Sequence, residues 1–155
     1  MAPPLLPIAV LALGSAGQAG PPAVALAPPV AGLYRGATAQ EQRIALRVGP
    51  GGRRASWRIA YRARCDDGAR IRGAYRSGDG TPLAAVGPGG TFRVTGEEPA
   101  RFRGGPTGAA RFSLTGQIGP DGGSGTWRVE VFPPRPGAAR VSCTSGPVRW
   151  GVARG

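Results

Sequence analysis

The chain has 155 residues, of which 28 are Gly and 17 are Pro, and its formal net charge is +12. All 20 basic residues are Arg, and the sequence holds no Lys, His or Asn. These absences exclude a Ser-His-Asp triad, a His-ligated metal site and a lysine Schiff base. The content of Gly and Pro would allow a disordered chain, so the order of the other residues has to decide the fold class.

The N-terminal part of the chain differs from the rest. The first 34 residues carry no charged side chain, and an apolar run at 5–13 (LLPIAVLAL) is followed by small residues. The run resembles the hydrophobic region of a secretory signal peptide, although a basic segment ahead of it is missing. We interpret residues 1–19 as a leader and 20–32, rich in Pro and Ala, as a linker, so that residues 33–155 form one domain.

The same segment bears on localisation. A transmembrane helix needs about 20 consecutive apolar residues, which is longer than this run, and several prolines interrupt its continuation. No transmembrane span is therefore predicted. We expect the mature protein to be secreted, or to reside in the cell envelope or periplasm, after cleavage of the leader.

Beyond the linker, apolar and polar residues alternate in short runs. The runs are 42–48, 57–65, 69–76, 92–94, 110–118, 127–131, 141–143 and 148–152. Alternation with a period of two is typical of a strand with one buried and one solvated face, and such strands are characteristic of antiparallel sheets. Gly- and Pro-rich turns separate the runs. The sequence therefore predicts an all-β fold, an antiparallel β-barrel or β-sandwich of about eight to nine strands.

The two cysteines of the chain, Cys65 and Cys143, fall on the apolar phase of their runs. A leader together with two cysteines predicts a single disulfide formed in an oxidising compartment. The alternative is a pair of buried free thiols.

The acidic residues do not predict a catalytic site. The eight carboxylates lie mostly in turn-like segments, and two pairs, Asp66-Asp67 and Glu97-Glu98, are sequence neighbours. Glycoside hydrolysis with two carboxylates needs groups that face each other across a cleft, whereas neighbours in a turn point apart. We therefore expect no catalytic, metal or cofactor site, and a secreted hydrolase is the third of three functional hypotheses.

The outward phase of the first three runs is rich in arginine. If these strands are neighbours, eight arginines share one face of one sheet: Arg43, Arg47, Arg58, Arg62, Arg64, Arg70, Arg72 and Arg76. A guanidinium binds phosphate or carboxylate through two parallel hydrogen bonds. The first hypothesis is therefore an exported, non-catalytic binding module whose partner is an anionic polymer or an acidic surface. The alternative is compositional, because a G/C-rich genome makes Arg the default outward residue.

The second hypothesis is a barrel that binds a small apolar ligand in its interior, lined by Trp57, Trp127 and Trp150. Among anionic partners, nucleic acid is disfavoured. A platform for stacking bases needs aromatic side chains beside the arginines on the exposed face, and the aromatic residues here fall on the apolar phase. The sequence does not predict an oligomeric state.

Two segments carry a resemblance to known proteins. One is 33–40 (LYRGATAQ), with the strand ending Arg62-Ala63-Arg64-Cys65, and the other is 124–127 (SGTW), with 143–150 (CTSGPVRW). Together they resemble uncharacterised small exported all-β proteins of G/C-rich bacteria, a resemblance that covers most of residues 33–153 and implies no activity. The Gly-Thr-Trp run is also similar to one in avidin-type and lipocalin-type barrels, which implies a barrel but transfers no ligand-binding residue.

Overall fold

The structure is a computed structural model, and it describes residues 27–78, 80–102, 107–134 and 141–155. These residues form ten strands and two single turns of 3-10 helix, at Pro50–Gly52 and Pro88–Gly90. The strands are β1 (Gly32–Thr38), β2 (Arg43–Val48), β3 (Arg54–Cys65), β4 (Arg70–Arg76), β5 (Ala84–Ala85), β6 (Thr91–Arg101), β7 (Thr107–Ile118), β8 (Gly122–Phe132), β9 (Cys143–Thr144) and β10 (Val148–Arg154).

The leader predicted at 1–19 and residues 20–26 of the predicted linker lie outside the described residues. The end of the linker is part of the fold. Pro29 is buried, and the Tyr34 hydroxyl donates a hydrogen bond to the carbonyl oxygen of Val30 at 2.8 Å. No helix in the described part of the chain is long and apolar enough to cross a membrane.

The strands form one antiparallel sheet that closes into a barrel. Its hydrogen-bonded order is β10-β1-β2-β3-β9-β8-β7-β6, and an additional pairing of β10 with β8 closes a ring. Strands β4 and β5 pair with β3 outside this order, and an isolated bridge between Val86 and Phe92 links the segment after β5 to β6. Of the two predicted architectures, the structure is therefore the barrel and not the sandwich.

The predicted alternation separates the interior of the barrel from its exterior. In β3, Trp57, Ile59 and Tyr61 are buried, while Arg58 and Arg62 on the alternate phase are exposed. The other long strands follow the same rule, because successive side chains of a strand point to opposite faces of the sheet. A single hydrophobic core results, and it fills the barrel.

Glycines on the inner side of the sheet make room for the largest side chains. Gly116 and Gly125 are cross-strand partners on β7 and β8. A Cβ atom on either residue would lie 2.3 or 2.6 Å from Cζ2 of Trp150. The indole of Trp150 therefore lies against the backbone of two neighbouring strands, and it fits only because both positions lack a side chain.

The turns between strands follow the Gly and Pro signals. In the β3–β4 turn, Gly68 has a φ of 86°, and the Asp67 carboxylate accepts a hydrogen bond from the Ala69 backbone N–H at 3.0 Å. In the 3-10 turn before β6, Gly90 has a φ of 76°, and a Cβ there would lie 1.8 Å from the carbonyl oxygen of Ile118. A positive φ and a close backbone approach both require glycine at such positions.

The strand count exceeds the prediction of about eight to nine, because β1 and β5 show no alternation in the sequence. Strand β5 has two residues, which is too short to display a period. In β1, the positions on the same phase as Tyr34 are occupied by Gly36 and Thr38, where an alternating strand would have apolar residues. Thr38 is nevertheless buried, because its hydroxyl accepts hydrogen bonds from the backbone of the turn that follows.

The predicted disulfide joins Cys65 at the end of β3 to Cys143 in β9. The two residues are direct cross-strand partners, and β9 pairs on its other side with β8. Closing a loop with a sequence separation of 78 residues stabilises the fold by about 4.5 kcal/mol in the chain-entropy model. The disulfide thus anchors the segment that links β3 to β8.

We predict that Gly125→Ala destabilises the barrel, because the new methyl group would lie 2.0 Å from the Thr115 carbonyl oxygen and against Trp150. Overpacking of this kind costs about 3 kcal/mol, measurable as a lower midpoint of denaturant unfolding. Gly151→Ala is the matched control, since nothing lies within 4 Å of its added Cβ. A Gly125→Ala protein as stable as the Gly151→Ala protein would contradict the packing described here.

Candidate functional site

The structure places all eight predicted arginines on the exterior of three adjacent strands. Each of the eight side chains is exposed. Three pairs on β3 and β4 face each other directly, and these are Arg58 with Arg76, Arg62 with Arg72, and Arg64 with Arg70. Arg43 and Arg47 lie on β2, next to β3. We call this surface the arginine face.

The arginine face has an unusual charge distribution. Strands β1, β2, β3 and β4 contain no acidic residue at all. Away from this face, Arg111 on β7 forms an ion pair with Glu97 on β6, with Nε and Oε2 3.2 Å apart. Like charges placed directly opposite each other in a sheet destabilise it, each cross-strand pair by on the order of 0.2–1 kcal/mol. We therefore expect the facing arginines to lower the stability of the free protein.

Four of these arginines surround one depression. Arg62, Arg64, Arg70 and Arg72, which we call the four-arginine cluster, border a cavity of about 320 Å³ together with Gln40, Thr144 and Ser145. Directly opposite residues in a sheet have Cβ atoms about 5 Å apart. Four guanidinium groups can therefore converge on one anionic group from two strands.

Gln40 holds the backbone of the cluster in place. Its side-chain amide donates to the Arg62 carbonyl oxygen and accepts from the Arg62 N–H, both at 3.0 Å. Strand β2 pairs with β3 only as far as Ile59, so the Gln40 amide replaces the missing strand neighbour at Arg62. Further along the same edge of β3, Thr144 pairs with Arg64, one residue from the disulfide.

A second depression lies on the same face, beyond the four-arginine cluster. Its floor contains small side chains, Ala45, Ala60 and Ala74, and its border contains Arg35, Arg43 and Arg58. Its volume is about 600 Å³. Small residues between the arginines thus leave room for a bound group to approach the sheet backbone.

The three tryptophans predicted to line an interior ligand cavity are packed in the core. Their exposures are 3% for Trp57, 0% for Trp127 and 3% for Trp150. The indole N–H of Trp57 donates to the Pro82 carbonyl oxygen at 3.1 Å, whereas the other two indole N–H groups have no partner among the described residues. None of the cavities described here is lined by Trp127 or Trp150. The open space in the barrel wall lies away from these three tryptophans.

That space is a gap in the wall between β4 and β6. Within the described residues, β4 pairs with β3, and β6 pairs with β7 apart from the bridge at Phe92. The gap holds a cavity of about 510 Å³, which we call the β4–β6 cleft. Its lining includes Tyr61, Arg72, Tyr75, Thr81, Glu98 and Phe102.

Glu98 brings a carboxylate to the inner side of this cleft. In β6, Val94 and Ala100 are buried, and Glu98 shares their phase, so it faces inward and is half-buried. The Thr81 hydroxyl donates a hydrogen bond to Oε2 of Glu98 at 2.5 Å. Thr81 itself is only 8% exposed. A carboxylate has thus been placed where the strand pattern would otherwise put an apolar side chain.

Two tyrosines complete the cleft. Tyr61 and Tyr75 stack with centroids 5.7 Å apart and an interplanar angle of 17°. Burial raises the pKa of Tyr61 to about 12. Burial, and then the nearby Tyr61 and Glu98, hold the pKa of Tyr75 well above its ordinary value. Both phenols therefore stay neutral hydrogen-bonding groups across the physiological range.

The sequence does not predict this cleft. Its neighbouring acids Glu97-Glu98 indicate a turn pair with both carboxylates in water, but the pair lies within β6 and the two carboxylates point to opposite sides of the sheet. Continuing the alternation from Phe92 and Val94 through Gly96 would have placed Glu98 inward. Gly96 interrupts the apolar positions of this strand, because the Phe112 ring packs over it, and the alternation is therefore not visible in the sequence.

Among the described residues, no group of three or more His, Cys, Asp or Glu side chains could hold a metal ion. The lining of the β4–β6 cleft includes one carboxylate, Glu98, whereas the usual glycosidase mechanism needs two.

We predict that Glu98→Gln lowers the pKa of Tyr75, because the negative charge that disfavours the phenolate is removed. The shift is measured by following tyrosine ring signals in NMR spectra as the pH rises. Glu97→Gln is the control, since that side chain is 61% exposed and pairs with Arg111 on the outside. Equal titration curves for the two variants would show that Glu98 does not face Tyr75.

The chain was compared with protein families, curated proteins and solved structures, and none of them matches it. Its function is therefore inferred from the geometry of the arginine face and the β4–β6 cleft.

Proposed function

We propose that the protein is an exported, non-catalytic module that binds an anionic polymer or acidic surface of the cell envelope or its surroundings through the arginine face. The observation that carries the proposal is the register of β3 and β4, in which three arginine pairs stand directly opposite each other. Like charges aligned across two strands cost stability, and binding of an anion offsets that cost.

The spacing of the arginines supports a polymer with closely repeated negative groups. Arg62 and Arg64 lie two residues apart on β3, which corresponds to about 7 Å along the strand, and their partners on β4 are about 5 Å away. A chain of phosphate, sulfate or carboxylate groups at similar intervals can therefore contact several guanidinium groups at once. Each contact is a charge-assisted and potentially bidentate hydrogen bond.

The exterior of these strands favours a polymer other than nucleic acid. The residues between the arginines on the outer side of β3 and β4 are small, as in Ser56, Ala60 and Ala74. The aromatic residues of the same strands, Trp57, Tyr61 and Tyr75, lie on the opposite phase. Bases would therefore find no stacking partner beside the arginines.

We predict that Arg58→Gln/Arg62→Gln/Arg70→Gln weakens retention on immobilised polyphosphate and on heparin. The matched control is Arg93→Gln/Arg128→Gln/Arg149→Gln, which removes the same charge from exposed positions on β6, β8 and β10. Each arginine–phosphate contact contributes about 0.7 to the slope of log affinity against log salt. Loss of three contacts therefore reduces the magnitude of that slope by roughly two in the first variant.

The comparison between these variants distinguishes specific binding by the arginine face from a general effect of the arginine-rich composition. Net charge alone would make both triple variants elute equally early. The proposal requires the variant on β3 and β4 to elute at clearly lower salt than the control variant, and equal elution would overturn it.

A further inference from the structure

Ala45 lies between three arginines on the exterior of the barrel. In the register of the sheet, Ala45 on β2 stands directly opposite Arg35 on β1 and Arg58 on β3. Arg43 lies two residues away on β2 and points to the same side of that strand. Directly opposite residues have Cβ atoms about 5 Å apart, and residues two apart along a strand are separated by about 7 Å. All three guanidinium groups can therefore reach the space above Ala45, which we call the Ala45 site.

The Ala45 site coincides with the second depression of the arginine face. Its volume of about 600 Å³ falls in the range of small-molecule sites, about 300–1,000 Å³. Alanines form its floor, at positions 45, 60 and 74, and longer side chains there would fill the space that the three arginines border. The depression therefore leaves room for a compact group to lie between the guanidinium groups and the sheet.

The arrangement differs from that of the four-arginine cluster. In that cluster, arginines on β3 and β4 stand directly opposite each other in two successive pairs. At the Ala45 site, one alanine separates Arg35 from Arg58, and because two strand spacings lie between them their backbones are about 10 Å apart. Successive facing pairs suit successive groups along a chain, whereas three arginines around one alanine suit a single compact group.

The charges at the Ala45 site favour a group with more than one negative charge. Within the described part of the chain, none of Arg35, Arg43 and Arg58 takes part in an ion pair. Strands β1 to β4 contain no acidic residue, and Glu41, in the segment between β1 and β2, does not belong to the lining. A dianion therefore offsets more of the local positive charge than a monoanion of the same shape does.

We propose that the Ala45 site binds a terminal phosphomonoester, the dianionic end group of a phosphorylated polymer. The three terminal oxygens of the phosphate accept hydrogen bonds from Arg35, Arg43 and Arg58, and the ester oxygen leads away from the sheet to the rest of the polymer. No bond is made or broken. This inference rests on the proposed function, and it names the chemical group that this part of the arginine face recognises. A sulfate ester, which carries one charge, fits the site less well.

The direct test is titration of the full-length oxidised protein with methyl phosphate at about pH 7.5, where a phosphomonoester is largely dianionic because its second pKa is about 6. Amide NMR spectra should show saturable shifts at Ala45, Ala60 and Ala74, and none at Thr115 on β7, which does not line the site. Methyl sulfate has the same shape with one charge fewer, and dimethyl phosphate lacks both that charge and one terminal oxygen. Each should bind at least about tenfold more weakly than methyl phosphate.

A pair of double variants assigns the interaction to particular residues. Arg35→Gln/Arg43→Gln should bind methyl phosphate at least about tenfold more weakly than the wild type, because charge-assisted hydrogen bonds are lost. Arg93→Gln/Arg128→Gln removes the same charge from exposed positions on β6 and β8, so it is the matched control. The control should bind methyl phosphate nearly as tightly as the wild type does.

Three results would each overturn the inference. They are the absence of saturable shifts with methyl phosphate in the wild-type protein, equal affinity for methyl phosphate and methyl sulfate, and equal affinity of the two double variants for methyl phosphate. These measurements follow a small ligand at one site, whereas the proposed function is tested by elution of the two triple variants from polyphosphate. Failure of the Ala45 site is thereby distinguished from failure of polymer binding by the arginine face.

Discussion

Packing of aromatic rings inside a closed barrel is the interaction on which the rest of this structure depends. Trp57, Tyr75, Phe112 and Trp127 come from four different strands, and their ring contacts have centroid distances of 5.5–6.0 Å. Rings of this size fill the space between the walls, each pair adding about 0.5–1.5 kcal/mol beyond its burial. Most inner-phase side chains of the long strands take part in this core, so among the described residues the outer phase and the gap between β4 and β6 are left for recognition.

The outer phase shows a conflict between stability and binding. Arginines face each other on β3 and β4, and strands β1 to β4 contain no acidic residue. The backbone beneath them is held by the hydrogen bonds of Gln40 to Arg62 and by the disulfide, which anchors β9 beside Arg64. On the proposed function, these charges lower stability and are kept for binding, as is common where function opposes stability.

Local pattern predicted the strands, their buried phase, the disulfide and the outward arginines, because each depends on neighbouring residues or on two cysteines. Barrel closure could not be derived that way, since the pairing of β10 with β8 depends on contacts between distant segments. The β4–β6 cleft was missed because Glu98 looks like half of a solvated pair beside Glu97. The tryptophans show a further limit, since an apolar phase does not reveal whether a side chain lines a cavity or fills the core, and Trp127 and Trp150 fill it.

The account's central claim is that the arginine pairs are kept for binding at a cost in stability, and the unfolding free energy tests it most directly. We would compare the wild type with Arg62→Gln/Arg64→Gln in low salt, with and without polyphosphate. Without polyphosphate, the variant should be more stable than the wild type, by about 0.2–1 kcal/mol for each pair of facing arginines that it removes. The account also predicts that polyphosphate at about 100 times its Kd stabilises the wild type by about 2.7 kcal/mol but the variant far less. A variant that is no more stable, and that polyphosphate stabilises equally, would contradict the account.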